Sequence, residues 1–209
     1  AVYSTFLQRA FDQLIHDVCL QDLPVVFALD RSGIVGDDGK THQGLLDLSY
    51  LSLIPNMIVS APRNENELQH LLLTATRAGH PMAIRYPRSL GTGEVLESEL
   101  RELPIGKGET LRAGGDLSIV AIGSAVAPAC AASEELMRKG VDTTVINARF
   151  AKPLDCDLIA ETAERTERLI VVEENVRSGG FGSTVAQFLQ EKDIKTAVQC
   201  INIPDIFVE

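Results

Sequence analysis

The sequence predicts an α/β protein with two mostly parallel-sheet α/β domains. Short apolar runs bounded by turn residues, such as PVVFALD and LSIVAIG, alternate with segments of helical periodicity, the pattern of parallel strands joined by right-handed helical crossovers. The composition, 45% hydrophobic and 23% charged over 209 residues, is that of a soluble globular chain able to bury a core, and it excludes disordered and collagen-like classes. GTGEVLESELRELP, residues 91–104, carries two glycines, several acidic residues and little periodicity, so it reads as a linker between domains at 1–90 and 105–209.

In the first domain Phe6, Ala10, Phe11, Leu14, Ile15 and Val18 recur at helical spacing, which predicts a helix from Thr5 to about Asp22 with Ser4 or Thr5 as its N-cap. PVVFALD reads as a strand covered on both faces, followed by a polar loop from Arg31 to about Gln43. NMIVSAP is a second strand, NENELQHLLLTATRAG a helix capped by Asn64 with Gly79 near its end, and PMAIRYPR a third strand. About three strands in about 90 residues is thin for a two-faced sheet, so the expectation is that further strands of this domain lie N-terminal to Ala1. After the linker come strands at IGKGETLR and LSIVAIG, a helix from Ala125 to Lys139 and a strand at TTVINA. A helix at about Asp155 to Arg165, a strand at LIVVEE, a helix from about Gly182 to Lys192 and a strand at VQCINI complete the pattern.

A net charge of −10 argues against nucleic-acid binding, which needs clustered cations to neutralise phosphates. Residues 1–93 hold 7 basic and 9 acidic side chains and residues 94–209 hold 12 and 20, which places an anionic substrate in the first part. No apolar run approaches the roughly 18 residues of a membrane span, and AVYSTFLQRAF has neither a basic nor an apolar leader region, so neither a membrane segment nor a signal peptide is expected. Cys19, Cys130, Cys156 and Cys200 form no C-x-x-C and are too few for a disulfide scaffold, which points to reduced thiols in a cytoplasmic protein.

The loop DRSGIVGDDGKTHQG is the strongest local signal. It leaves the carboxyl end of a parallel strand, where α/β sheets bind ligands, and carries Arg31, Asp37, Asp38, Lys40 and His42 among four glycines. Arg offers a planar fork to an oxyanion, and His titrates nearest neutrality; a solvated loop with turn glycines has the same composition. In IRYPR, either Arg85 or Arg88 can reach the crevice of Arg31, as a phosphate site requires, or form an interdomain ion pair. VVEENVRSGGFGS sets glycines between a strand and a helix, but Glu173 and Glu174 beside them would repel a phosphate, so close helix packing is the preferred reading. His16, His70 and His80 show no metal-ligand spacing and read as surface or packing residues.

YSTFLQRAFDQLIHDV, DRSGIVGDDGKTHQG, DLSYLSLIPNMIV, AIRYPR, LPIGKGE, RFAKPLD and VEEN, in this order, resemble the C-terminal part of the 1-deoxy-D-xylulose-5-phosphate synthases, thiamine-diphosphate enzymes of the transketolase superfamily, over nearly the whole chain. The resemblance implies part of a pyrimidine-binding domain followed by a transketolase C-terminal domain, in a homodimer. It implies the condensation of pyruvate with glyceraldehyde 3-phosphate, with release of CO₂. It implies that Phe6 stacks on the cofactor's aminopyrimidine and that Tyr3 and Arg9 face the substrate channel. Arg31 and Arg88 would grip the substrate phosphate, and Asp38 and His42 would lie near its hydroxyl and carbonyl oxygens, His42 moving the proton. The catalytic glutamate and the residues that anchor diphosphate and Mg²⁺ would lie outside this chain, so that the chain alone is inactive. GDDG is not read as the Mg²⁺ element, because an extra Asp interrupts it; no metal ligand is assigned. The competing readings are a β-type subunit of a thiamine-dependent 2-oxo-acid dehydrogenase and a non-catalytic α/β interaction module.

Overall fold

The computed structural model describes residues 1–209. Its elements are β1 (Val2–Tyr3), α1 (Ser4–Leu7), α2 (Phe11–Gln13), β2 (Val26–Asp30), α3 (Asp47–Ser52), β3 (Ile58–Ser60), α4 (Glu65–Arg77) and β4 (Met82–Arg85). They continue as β5 (Glu109–Arg112), β6 (Leu117–Ala121), α5 (Val126–Arg138), β7 (Thr143–Asn147), β8 (Phe150–Lys152), α6 (Cys156–Thr166), β9 (Arg168–Val176), α7 (Phe181–Glu191) and β10 (Ala197–Ile203).

Two five-stranded sheets result, in the orders β1-β2-β4-β3-β8 and β10-β9-β6-β7-β5. All pairings are parallel except β3 with β8 and β5 with β7. The first sheet is therefore fuller than the expected three strands. The two-residue β1 adds one edge, and β8, which follows β7 of the other sheet in sequence, returns to add the opposite edge. Both are too short to register as periodic runs.

The leading helix is broken rather than continuous. A 3-10 turn at Gln8–Ala10 separates α1 from α2, and a π-helical turn follows at Leu14–Cys19, whose wider winding lets Leu14 and Cys19 both be buried. Its N-cap position is Tyr3, with no side-chain cap; Ser4 lies inside the first turn and donates its hydroxyl to Asp47 Oδ1 at 2.7 Å instead. The predicted strand at IGKGETLR begins only at Glu109. Helix α4 starts as expected, Asn64 Oδ1 accepting from the Glu67 N–H at 2.9 Å, and Asp155 caps α6 in the same way.

Residues 91–104 form no regular structure and yet are tied down along the polar face of α4. The Asn66 side chain bonds the backbone at Val95 and Glu97, the His70 ring accepts from the Arg101 N–H, and Thr74 Oγ1 accepts from the Leu103 N–H at 2.8 Å. The contact to Arg101 fixes the His70 tautomer: Nδ1 accepts, so Nε2 carries the proton toward Glu97 at 3.1 Å. The connection is a strap whose backbone groups are satisfied by one helix at spacings of three to four residues.

One cluster of 23 buried apolar residues runs through both sheets, from Leu7, Leu29, Leu48 and Val59 to Val120, Ile146, Val171 and Phe181. A smaller cluster seats the fully buried Phe150 of β8 among Ile58, Leu71, Met82 and Ile84. Lys152 of β8 donates its ammonium to the carbonyls of Ser52 and Ile54 at the end of α3, where the helix dipole favours a cation. If β8 secures the first sheet in this way, Phe150→Ala costs about 3–5 kcal/mol in chemical denaturation, against about 1 kcal/mol for loss of the cap in Asn64→Ala.

Candidate active site

Strands β1, β2 and β4 run parallel with Tyr3 opposite Asp30 and Leu29 opposite Arg85, so the segments that follow them emerge at one carboxyl edge. That edge is where α/β sheets present ligand-binding groups. Tyr3, Phe6, Arg9, Arg31, Asp38, His42 and Arg88 all meet there. The Tyr3 and Phe6 rings stack at 5.3 Å between centroids, and the His42 ring stands edge-on to both, at 6.2 and 5.6 Å. The Arg31 guanidinium lies over the Tyr3 face at 3.7 Å, and that of Arg9 over Phe6 at 5.8 Å.

Asp38 joins two cations. It accepts from Arg31 Nε at 2.7 Å and pairs with Arg88 Nη1 at 2.9 Å, while Arg31 Nη1 bonds Asp30 at 2.6 Å. Two guanidiniums are thus held at one point, with Arg31 Nη2 and most of the Arg88 fork free of protein partners. Arg31 sits at φ +64°, a left-handed conformation disfavoured for a long side chain and held here by its N–H bond to Asp30 Oδ1 at 2.7 Å. Phe6 keeps 44% of its surface exposed beside the Tyr3 ring, aromatic surface accessible to a ligand.

The loop carrying Asp38 and His42 is closed at its base by paired backbone bonds between Gly33 and Gly44, at 2.8 and 2.9 Å, and by Gln43 Oε1 accepting from the Val35 N–H at 2.7 Å. Gly36 and Gly39 take positive φ around the single turn that presents Asp38. His42 Nδ1 lies 3.0 Å from Thr41 Oγ1. The chain's last residues lie alongside: Glu209 pairs with Lys40 at 3.0 Å, and Asp205, Ile206, Phe207 and Val208 wall a cavity of about 780 Å³ whose other side includes Arg9 and Thr41.

Of the two arginines in IRYPR, Arg88 joins Arg31, and Arg85 turns inward. Arg85 is 4% exposed; its Nη2 donates to the carbonyls of Gly44 at 3.1 Å and Glu174 at 3.2 Å, and its Nε lies 3.5 Å from the fully buried Asp47. Asp47 also accepts from Ser4 at 2.7 Å and from Ser32 at 3.3 Å. Burial pushes its carboxyl upward against the pull of Arg85.

VEEN was legible as a motif, but its contacts were not. Glu173 accepts from the Phe181 and Gly182 N–H groups at 2.7 and 2.9 Å, so the start of α7 is filled by the protein's own carboxylate, in keeping with a packing role for the glycine turn. Glu174 reaches the site loop at the Ile34 N–H, 3.0 Å away. Asn175 accepts from the Leu48 N–H at 3.1 Å at the start of α3. No cluster of three His, Cys, Asp or Glu can hold a metal, and His16 and His80 bond nearby aspartates.

The transketolase pyrimidine binding domain model matches residues 1–93, and the transketolase C-terminal domain model matches residues 106–209. The chain belongs to the transketolase family. Within that family it is 58% identical to a protein named 1-deoxy-D-xylulose-5-phosphate synthase 1 from Geobacter metallireducens, over 100% of this chain and 34% of the relative. It is 55% identical to the 1-deoxy-D-xylulose-5-phosphate synthase of Desulforudis audaxviator, over 100% of this chain and 33% of that one. The chain thus spans about a third of the length of the curated relatives it matches. Among solved structures, a split-gene transketolase described as an inactive β4 tetramer superposes with a TM-score of 0.89 at 32% identity, over 100% of this chain and 66% of the other. The transketolase of Campylobacter jejuni gives 0.72 at 18% identity, over 100% of this chain and 31% of the other, and shares the fold.

Burial raises the Glu173 carboxyl from 4.5 to about 7, against the two N–H bonds that favour its charged form. Between those pH values the folded protein holds a proton that the unfolded chain has released, so this group makes stability fall as pH rises from 4.5 to 7 and adds no slope beyond. Thermal melts across that window should show the decline in the natural protein and a flatter profile in Glu173→Gln.

Proposed function

We propose that this chain is the C-terminal part of a 1-deoxy-D-xylulose-5-phosphate synthase, condensing pyruvate with glyceraldehyde 3-phosphate and releasing CO₂ to supply isoprenoid, thiamine and pyridoxal synthesis. The observation that carries the reading is the convergence of Arg31 and Arg88 on Asp38 beside the Tyr3, Phe6 and His42 rings. A phosphate dianion next to an aromatic surface is what that arrangement suits. The names of relatives 55–58% identical over the whole chain support the same product.

In this reading thiamine diphosphate, when bound, supplies the nucleophilic carbon and the electron sink, and the protein orients and stabilises. Phe6 fits that cofactor through its exposed aromatic surface, available to stack on an aminopyrimidine. The free donors of Arg31 and Arg88 take the phosphate of the acceptor aldehyde. Tyr3 holds Arg31 by the cation–π contact, and Arg9 borders the approach over the Phe6 ring. His42, with Nδ1 engaged by Thr41, has Nε2 available to move a proton at the acceptor carbonyl oxygen, and Asp38 accepts from a substrate hydroxyl.

In this reading diphosphate and Mg²⁺ are held by residues outside these 209. The working enzyme is a cytoplasmic homodimer of a longer protein, and no helix of this chain is long and apolar enough to cross a membrane. The neighbour described as an inactive β4 assembly supports the further reading that this chain alone does not turn over.

In the assembled enzyme, Arg31→Ala and Arg88→Ala should each raise KM for glyceraldehyde 3-phosphate about tenfold to a hundredfold, the loss of one charge-assisted interaction, and leave KM for pyruvate nearly unchanged. Unphosphorylated glyceraldehyde should be used equally by variants and parent; equal losses with both acceptors would refute a phosphate role. The purified 209-residue chain, given both substrates, thiamine diphosphate and Mg²⁺, should release no CO₂ from pyruvate.

A further inference from the structure

Strand β9 lies on one side of β6 and β7 on the other, so the strand order of the second sheet reverses between β6 and β9. Outside the carboxyl ends of two such strands lies the crevice in which open α/β sheets bind ligands. Ser124, just after β6, and Glu174, near the end of β9, stand there. Ser124 donates its hydroxyl to Glu174 Oε2 at 2.6 Å, and the other oxygen, Oε1, accepts the Ile34 N–H of the first domain at 3.0 Å. The Glu174 carboxylate lies so close to Gly33 that a Cβ there would collide with it. The crevice of the second sheet is therefore occupied by the base of the loop that carries Arg31, Asp38 and His42.

We propose that Glu174, supported by Ser124, is a positioning residue for that loop, setting where Asp38 and His42 stand through the backbone at Gly33 and Ile34. The Glu174 carboxylate bonds Ser124 and Ile34 and none of the seven clustered side chains. Its grip falls where the loop closes on itself, beside the Gly33–Gly44 bonds, so a shift at this point tilts the whole loop. Its own backbone carbonyl accepts from Arg85, which also holds Gly44, so both sides of the loop base are referenced to β9. Positioning errors of about 1 Å can cost on the order of a hundredfold in rate, so a device of this kind has kinetic weight without contact to a substrate.

Hydrogen exchange tests the positioning itself, whereas kinetics also depend on the function proposed above, so failures of the two are distinguishable. In the full chain, Glu174→Ala should speed exchange of the 33–44 amides about tenfold and leave β6 and β10 protected. Glu174→Gln, which can still accept from Ile34 and donate to Ser124, should restore protection. Ser124→Ala, which removes one partner without emptying the crevice, should give an intermediate effect and keeps the test valid if Glu174→Ala does not fold. In the assembled enzyme, Glu174→Ala should lower kcat and raise KM for the phosphorylated acceptor, with KM for pyruvate unmoved and rescue by Glu174→Gln. Unaltered 33–44 exchange in Glu174→Ala, or in Ser124→Ala if the former is unfolded, overturns the proposal. So does loosening spread evenly over the molecule. If exchange responds as expected but no condensation of pyruvate occurs in any variant or parent, the positioning stands and the assigned reaction falls.

Discussion

The fold is organised around a charge pair with no access to water. Arg85 enters from the end of β4 and Asp47 from the start of α3, and both are almost wholly buried. Taking either charge out of water alone is costly, so each group must be met from several sides at once. The partners that meet them come from separate segments: Ser4 at the head of α1, Ser32 after β2, the Gly44 carbonyl at the loop base and the Glu174 carbonyl in the second sheet. Chain segments far apart in sequence are bound to one point because two ions there have no other solvation.

That constraint explains why the site above it is orderly. The loop after β2 is rich in glycine and would be loose if left alone, since glycine gives up the most backbone freedom on folding. It is closed at Gly33 and Gly44, two residues whose neighbours and carbonyls already belong to the buried network. The half-buried Arg31, Asp38 and His42 and the exposed Arg88 then need only short-range contacts to be aligned, and those contacts run through Asp38 and the Tyr3 ring. Rigidity is supplied from below and chemistry is presented above, as expected of a site borne on loops over a fixed scaffold.

Much of this was legible in the sequence where local rules operate. The strands β2, β4, β6 and β7 are short apolar runs with clear ends, and α4 and α6 carry the Asn64 and Asp155 caps that a sequence can display. The seven candidate residues lie on segments whose resemblance to known synthases is strong, and the fold brings those seven together. What escaped was set by partners distant in the chain. Val2–Tyr3 and Phe150–Lys152 become strands only because β2 and β3 are there to pair with them. Arg85 and Arg88 look alike in IRYPR, but Arg85 is the last residue of β4, a strand buried at all four positions, whereas Arg88 lies past its end in the exposed segment after Pro87. Ser4 looked like a helix cap because the carboxylate that takes its hydroxyl hydrogen bond, Asp47, lies 43 residues away.

The return of β8 bears on what counts as a unit in this protein. By sequence family the boundary falls between residues 93 and 106, yet the first sheet takes its final strand from residues 150–152. A polypeptide ended at that boundary would leave β3 with one open row of amide and carbonyl groups and an empty slot where Phe150 had been, the template on which strands of other chains add. The two modules are thus woven, and recombining them between relatives demands that the edge strand travel with the sheet it completes, not with the domain that encodes it.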